Sequence, residues 1–327
     1  MAKIRILNKK DIKKVINLKD IIDATEKAYV QKATGDAEVW PMVFHEFDPG
    51  HADLDIKSGN LNQAGIYGLK VVSFFDSNEN KNLPVLTGTS MIFDIKTGQP
   101  KAVLNAGPIT DYRTGAAGAI GAKYLARENS ENLLMVGCGA LAPYLIAATL
   151  LTMPKIEKIT LVNPRNPANA EERLETIRER VNELLYESGV AAFFDMKAES
   201  DTEKAVAEAD VILTATPSYE PMIKKEWVKP GTHFSCVGSD MSGKQEIDEN
   251  IMAGALVFGD DLQQCKNVGE CEKAFKAGIL TELRAEIGDV ISGKIAGRLS
   301  DEDITVFDST GIALQDLVSA ACILTEA

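Results

Sequence analysis

The segment Leu133-Leu-Met-Val-Gly-Cys-Gly-Ala-Leu-Ala142 constrains this chain more than any other. A short apolar run, Leu133 to Val136, stops at Gly137; Gly139 follows two residues later and Ala142 three after that. A helix-compatible stretch, Leu141 to Leu151, then begins. Gly-x-Gly-x-x-Ala between a buried strand and a helix is the pattern of a dinucleotide-binding turn. The first glycine permits the tight turn. The second has no Cβ, so a pyrophosphate can approach the backbone. The small Ala142 lets helix and strand pack closely. Free N–H groups and a partial positive charge at the helix N-terminus then face the phosphates.

The surrounding sequence supplies the context this turn needs. Residues 130 to 260 repeat strand then helix: strands at Leu133–Val136, Lys158–Asn163, Val190–Phe194, Val211–Ala215, His233–Val237 and Leu256–Phe258, with helices at Ala170–Ser188 and Asp201–Ala209, the latter capped by Asp201. Alternation of this kind predicts an α/β fold with a doubly wound parallel Rossmann sheet. The first 127 residues read differently. A strand, Ile4–Leu7, precedes Asn8 as a helix cap, Asp20–Ala33 is a helix, and strand-like runs follow at 68–75, 87–93 and 100–104, separated by turns. That pattern predicts a second α+β domain for substrate and dimerisation. Ala116–Leu125 reads as a helix leading into the dinucleotide domain, and Ile312–Leu324 as a C-terminal helix. The expected division is therefore 1–127 together with 305–327 for the substrate and dimerisation domain, and 128–304 for the dinucleotide-binding domain.

At 327 residues the chain can hold two cores. A net charge of −13 with no basic run argues against nucleic acid or an anionic membrane as partner. The five cysteines form neither C-x-x-C nor a ligand cluster with histidine, so no metal site or disulfide framework is expected. No apolar run approaches the roughly 18 residues of a membrane span, and no secretory signal follows Met1, so a cytoplasmic location is expected.

Several residues carry the types and positions that chemistry requires. Arg113, in Thr110-Asp-Tyr-Arg-Thr-Gly-Ala-Ala-Gly118 at the start of a small-residue helix, either grips a carboxylate or phosphate through two parallel N–H bonds or is a surface arginine at a helix end. Lys70 lies in an apolar strand; it faces solvent, or it faces a cleft as a charge partner with a tunable pKa. Asp240 follows the fifth strand, at the sheet edge where ligands of open α/β folds bind, as a proton carrier or as a turn cap, with Lys244 as its pairing partner or a solvated side chain. Asp308 reads as an N-cap. His45, His51 and His233 share no motif. The expected cofactor wall comprises Gly137, Gly139, Ala140 and Leu141 at the turn, Asn163 and Arg165 after the second strand, and Thr216 and Gly238 after the fourth and fifth. The second strand ends in Asn163-Pro-Arg165 without the acid that holds the ribose 2′-OH of NAD, and Arg165 suits a 2′-phosphate, so NADP(H) is favoured over NAD(H).

The motifs taken in order resemble those of the ornithine cyclodeaminase/mu-crystallin family. They are Gly68-Leu-Lys-Val-Val, Asn82-Leu-Pro84 before Gly88, Asp94-Ile-Lys-Thr-Gly-Gln-Pro100, Arg113-Thr-Gly-Ala-Ala, Gly137-Cys-Gly-Ala-Leu-Ala, Gly238-Ser-Asp-Met-Ser-Gly-Lys-Gln-Glu246 and Asp308-Ser-Thr-Gly-Ile-Ala313. The resemblance implies that Lys70 and Arg113 bind a substrate carboxylate, that Asp240 transfers a proton beside the nicotinamide, that Thr114 contributes to the cofactor phosphates, and that the chain forms a two-fold homodimer. Two departures bear on substrate. The arginine usual in the family after a proline near position 43 is missing from Trp40-Pro-Met-Val-Phe-His45. In Asp53-Leu-Asp-Ile-Lys57, either acid could meet a distal amine, while Lys57 either replaces the missing arginine or repels an ornithine amine. The expected activity is an NAD(P)-dependent oxidoreductase acting on the C–N bond of a small amino acid or imine. The alternatives are an ornithine cyclodeaminase-type lyase and a mu-crystallin-like NADPH-binding protein.

Overall fold

The N-terminal half holds two more strands than the sequence suggests, between the second helix and residue 66. In the computed structural model, which describes residues 4–326, the chain clusters into two units. The first holds the described residues up to Ile16, Asp23–Arg113 and those from Ile312 onward. It starts with β1 (Arg5–Leu7), α1 (Lys9–Lys13) and α2 (Leu18–Thr34), then β2 (Ala37–Asp48), β3 (Ala52–Leu61), β4 (Ile66–Phe75), β5 (Leu86–Asp94) and β6 (Pro100–Asn105). Asn8 caps α1 as expected: its Oδ1 accepts from the N–H groups of Lys10 and Asp11, and Asp11 accepts from the Asn8 N–H. The sheet order is β1-β6-β5-β4-β3-β2, with β1–β6 parallel and the other pairs antiparallel.

β2 and β3 were not anticipated. β2 carries Pro41, which reads as a strand breaker, but β2 is an edge strand with a register shift between Trp40 and Val43, where a missing N–H is tolerated. β3 reads as polar because it carries Asp53, Asp55, Lys57 and Ser58 among its apolar residues. Next comes α3 (Ala106–Leu125), ten residues longer at its N-terminus than expected. Pro108 sits in its first turn, where no intrahelical N–H is lost. Arg113 consequently stands in the middle of α3 rather than at its start.

The second unit comprises residues 17–22 and Thr114–Gly311. Its elements are β7 (Asn132–Val136), α4 (Ala142–Thr152), β8 (Lys158–Val162), α5 (Pro167–Glu187), β9 (Asp195–Ala198), α6 (Thr202–Glu208), β10 (Val211–Thr214), β11 (His233–Cys236), β12 (Leu256–Gly259), α7 (Leu262–Cys265), α8 (Glu272–Lys276), β13 (Ala285–Glu286), α9 (Ile287–Ile291) and β14 (Thr305–Asp308). All strands pair in parallel, in the order β13-β12-β14-β11-β10-β7-β8-β9. The central strands are buried on both faces, which explains their near-continuous apolar composition. From β7 the chain winds outward through β8 and β9, then returns to place β10 on the other side of β7. The carboxyl ends of β7 and β10 therefore flank a topological switch point, where ligands of such sheets bind.

Three sequence-based expectations need correction here. Residues 190–194 are not a strand; Phe193 is 97% exposed, and the edge strand is β9, with Met196 turned into the core. Asp308 is not an N-cap: it ends β14, fully buried, and accepts a bond from the Cys271 N–H at 2.9 Å. β14 itself lies inside the parallel sheet, between β11 and β12, so residues 305–311 fall with the second unit rather than with the C-terminal helix. At four residues, Thr305-Val-Phe-Asp308 gives little to read locally; its burial is a property of the sheet it completes. The chain ends in α10 (Ala313–Glu326), which packs in the first unit on β3 and β4 through Leu314 and Leu317, next to Gly59 and Gly68. Among the described residues no helix is long and apolar enough to cross a membrane.

Candidate active site

Two groups of residues stand out, one in each unit. In the second unit, a cavity of about 370 Å³ opens at the switch point. Gly137 and Gly139 after β7, Asn163 and Arg165 after β8, and Ala215, Thr216 and Pro217 after β10 line it. Gly137 adopts φ +105°, and a Cβ there would lie 2.7 Å from the Ala215 carbonyl oxygen, so only glycine fits. Its N–H donates to the Val162 carbonyl at 2.9 Å, tying the turn to β8. A Cβ on Gly139 would meet no protein atom within 4 Å, which leaves the backbone there open to a ligand. No side chain caps the N-terminus of α4. In its first turn the Ala142 and Tyr144 N–H groups donate to the Gly139 and Leu141 carbonyls and Pro143 has none, so the helix start offers an anion its dipole.

The cavity lining contains no carboxylate. It contains Arg165, whose Nη2 donates to the Pro217 carbonyl at 3.3 Å, and Arg173 of α5, which sequence reading missed. Arg173 also acts on Cys138: burial pushes that thiol up, and the arginine charge opposes the shift. Asn163 holds its own loop, accepting from the Asn166 N–H and donating to Asn169. The helix dipole, two guanidinium groups and the bare Gly139 surface suit a phosphate-bearing dinucleotide. Ala140 and Leu141 lead into α4 outside the cavity lining, and Thr114 is buried on α3. Gly238 also lies outside the lining, with its N–H bonded to Glu246. Asp240 is on the loop leaving β11, its side chain 49% exposed and accepting a 2.6 Å bond from Lys244 Nζ. Burial lowers the Lys244 pKa, but the Asp240 charge and hydrogen bond outweigh it, and the net shift is upward.

In the first unit, Lys57 of β3 and Lys70 of β4 stand directly opposite each other in the antiparallel register. They are 5% and 2% exposed. Like charges opposed across a sheet destabilise it, so their burial together signals a counter-charge. α10 supplies one: Asp316 lies 2.9 Å from Lys70 Nζ and 3.4 Å from Arg113 Nε. Arg113 Nη1 also donates to Gln315 Oε1 at 2.8 Å, and Gln315 in turn donates to the Tyr29 hydroxyl. Burial, then Arg113 and Lys57, push Lys70 down to about 8 against the opposing pull of Asp316. Burial raises the Asp316 carboxyl, but Lys70 and Arg113 hold it below the usual range. The three cations Lys57, Lys70 and Arg113 thus converge on Asp316, with the half-buried Asp53 and Asp55 on the same strand face as Lys57.

The structure thus brings Lys57, Lys70 and Arg113 together, with Lys70 facing inward rather than solvent. Gly137, Gly139, Asn163, Arg165 and Thr216 share one cavity. Sequence reading missed Asp316, Gln315 and Arg173. The helical spacing of the C-terminal segment was visible, but an Asp and a Gln on its apolar face were the signal that went unread.

Comparison with known proteins follows this geometry. The family model described as the ornithine cyclodeaminase/mu-crystallin family matches residues 3–327. The chain is 35% identical over 324 residues to an alanine dehydrogenase of Archaeoglobus fulgidus, covering 98% of this chain and 94% of that protein. The structure of an archaeal alanine dehydrogenase dimer with bound NAD superposes with a TM-score of 0.86 at 35% identity, covering 99% of this chain and 96% of the other. A Thermococcus litoralis Δ1-pyrroline-2-carboxylate reductase, in complex with NADH and L-proline, superposes with a TM-score of 0.87 at 27% identity, covering 99% and 97%. With its fold, its motifs and nearly its whole length matched, this chain belongs to the ornithine cyclodeaminase/mu-crystallin family.

Proposed function

We propose that this chain is a nicotinamide-dependent oxidoreductase acting on the C–N bond at the α-carbon of a small amino acid or the corresponding imine. The observation that carries the reading is the buried Lys57–Lys70–Arg113 cluster. Three buried cations gathered in one place attract a carboxylate, and charge-assisted bonds to it are the strong kind. The first unit serves as the substrate domain, and the parallel-sheet unit as the dinucleotide domain. When bound, the nicotinamide supplies hydride exchange at Cα. The protein's part is to orient and to manage charge and protons. Lys57, Lys70 and Arg113 hold the carboxylate, and Asp240, poised by Lys244, exchanges a proton with the substrate nitrogen. Keeping all of these groups supports an enzyme over a mu-crystallin-like binding protein.

Lys57 takes the place of the carboxylate-binding arginine that is missing near position 43. Arg165 and Arg173, with no acid beside them in the cavity lining, support NADP(H) over NAD(H), although the superposed relatives were solved with NAD and NADH. The edge strand β2 exposes Trp40, Val43, Phe44 and Phe47, and such apolar edges are normally covered, which supports a homodimer.

The test is oxidation of NADPH and NADH by a panel of small 2-oxo acids with ammonium, and by cyclic imine carboxylates. The expected result is net oxidation with at least one member and tighter binding of NADPH in fluorescence titration. Ammonia release from ornithine without net cofactor turnover would favour the lyase instead.

A further inference from the structure

Glu246 lies in the second unit and is fully buried, yet it is neither in the cavity lining nor part of the chemistry described above. Four donors converge on its carboxylate. Oε1 accepts from the Thr216 N–H at 2.7 Å and the Thr216 hydroxyl at 2.8 Å. Oε2 accepts from the Thr214 hydroxyl at 2.6 Å and the Gly238 N–H at 2.9 Å. Its own carbonyl accepts from the Met222 N–H at 2.8 Å. Thr216 and Met222 line the dinucleotide cavity, and Gly238 begins the loop that carries Asp240.

A buried carboxylate is costly unless its lone pairs are filled. Here each oxygen takes one main-chain N–H, and the two N–H groups leave the ends of two different strands, β10 and β11. A hydroxyl can rotate to suit an amide, but a main-chain N–H can only donate. Glutamine would satisfy one strand end and face the other with an NH2 group. Beneath Glu246 sits a second buried carboxyl, Glu270, which accepts from the Glu246 and Ile247 N–H groups and from the Ser239 hydroxyl at 2.7 Å. Burial pushes both carboxyls up. The facing charge of Glu246 pushes Glu270 further, while the donors around Glu246 oppose the rise of its own carboxyl.

We propose that Glu246 is a positioning residue that clamps the Thr216–Met222 wall of the dinucleotide cavity to Gly238, so that cofactor binding and the placement of Asp240 depend on one carboxylate. This rests on the reading of the cavity as the nicotinamide cofactor site. It predicts a particular split: cofactor affinity and turnover suffer together, whereas the substrate KM, set by Lys57, Lys70 and Arg113, does not.

The experiment compares the wild type with Glu246→Gln and Thr214→Val. The second variant removes one bond to the same carboxylate without altering the cavity lining. NADH and NADPH dissociation constants are measured by fluorescence titration, alongside melting temperature and steady-state parameters. Leaving a main-chain donor unsatisfied should weaken cofactor binding roughly ten- to hundredfold in Glu246→Gln, with a smaller loss of the same sign in Thr214→Val. The substrate KM should stay within about threefold, since nothing at the carboxylate cluster changes. If Glu246→Gln does not fold, Thr214→Val decides alone. Variants that melt lower yet bind cofactor like the wild type would overturn the proposal and leave Glu246 as a purely structural group. If the wild type itself binds neither nucleotide, the reading of the cavity falls first and this inference with it.

Discussion

Lys70 concentrates the electrostatics of the proposed substrate site. Its ammonium is held down from 10.5 to about 8, chiefly by burial and then by Arg113. Between those values the unfolded chain binds more protons at this residue than the folded one, so stability rises with pH across the window and carries the full cost below about 8. Substrate affinity runs the other way. A carboxylate needs the charged lysine, so the substrate KM should climb once pH passes about 8. A Lys70→Arg variant, which stays charged, should flatten the climb. A KM independent of pH through this range in the wild type would show that Lys70 does not hold the substrate. Asp240 calls for a different comparison. Asp240→Asn keeps the shape and removes the basicity, so turnover should fall roughly 10²–10⁴-fold while cofactor affinity is kept. Losing the half-exposed pair with Lys244 should cost at most about 1 kcal/mol of stability. Near-normal turnover together with a lower melting temperature would make Asp240 a turn residue instead.

At the level of elements, the turn from β7 into α4 offers two glycines with opposite expectations. Gly137→Ala must place a Cβ 2.7 Å from the Ala215 carbonyl in a left-handed conformation, so both stability, by about 1–3 kcal/mol, and cofactor affinity should drop. Gly139→Ala meets only open space in the protein. Its melting temperature should be unchanged while NADPH binds less tightly, because only a bound pyrophosphate would meet the new methyl group. Equal affinity in Gly139→Ala would remove the phosphates from this turn. This turn was also the most legible part of the sequence, because its chemistry is local: the strand, the two glycines and the helix start lie within ten residues. β2, β3 and β14 were not legible for the opposite reason. Pro41 is harmless only because β2 is an edge, and Thr305-Val-Phe-Asp308 is a strand only because β11 and β12 stand on either side of it. The carboxylate cluster was half legible. Lys57, Lys70 and Arg113 are cations in apolar or small-residue surroundings, but Asp316 lies 246 positions from Lys70 and is joined to it only by folding.

For the whole molecule, the exposed apolar residues of β2 give an expectation about assembly. Light scattering at micromolar concentration should give a dimer mass, and a Val43→Glu, Phe44→Glu double variant should shift it toward the monomer, since like charges would meet at a self-paired edge. A monomeric wild type would locate the dimer of the superposed alanine dehydrogenase in features this chain lacks. The central claim, that the carboxylate cluster and the dinucleotide cavity serve one reaction at an α-carbon, is tested most directly by isotope transfer. NADPH dideuterated at nicotinamide C4 would be incubated with the protein, ammonium and the best 2-oxo acid or cyclic imine from the panel, and the amino acid product analysed by mass spectrometry. The expected result is deuterium on Cα, and its loss in Lys70→Met despite retained NADPH binding. An amino acid product without deuterium on Cα, or labelling undiminished in Lys70→Met, would contradict it.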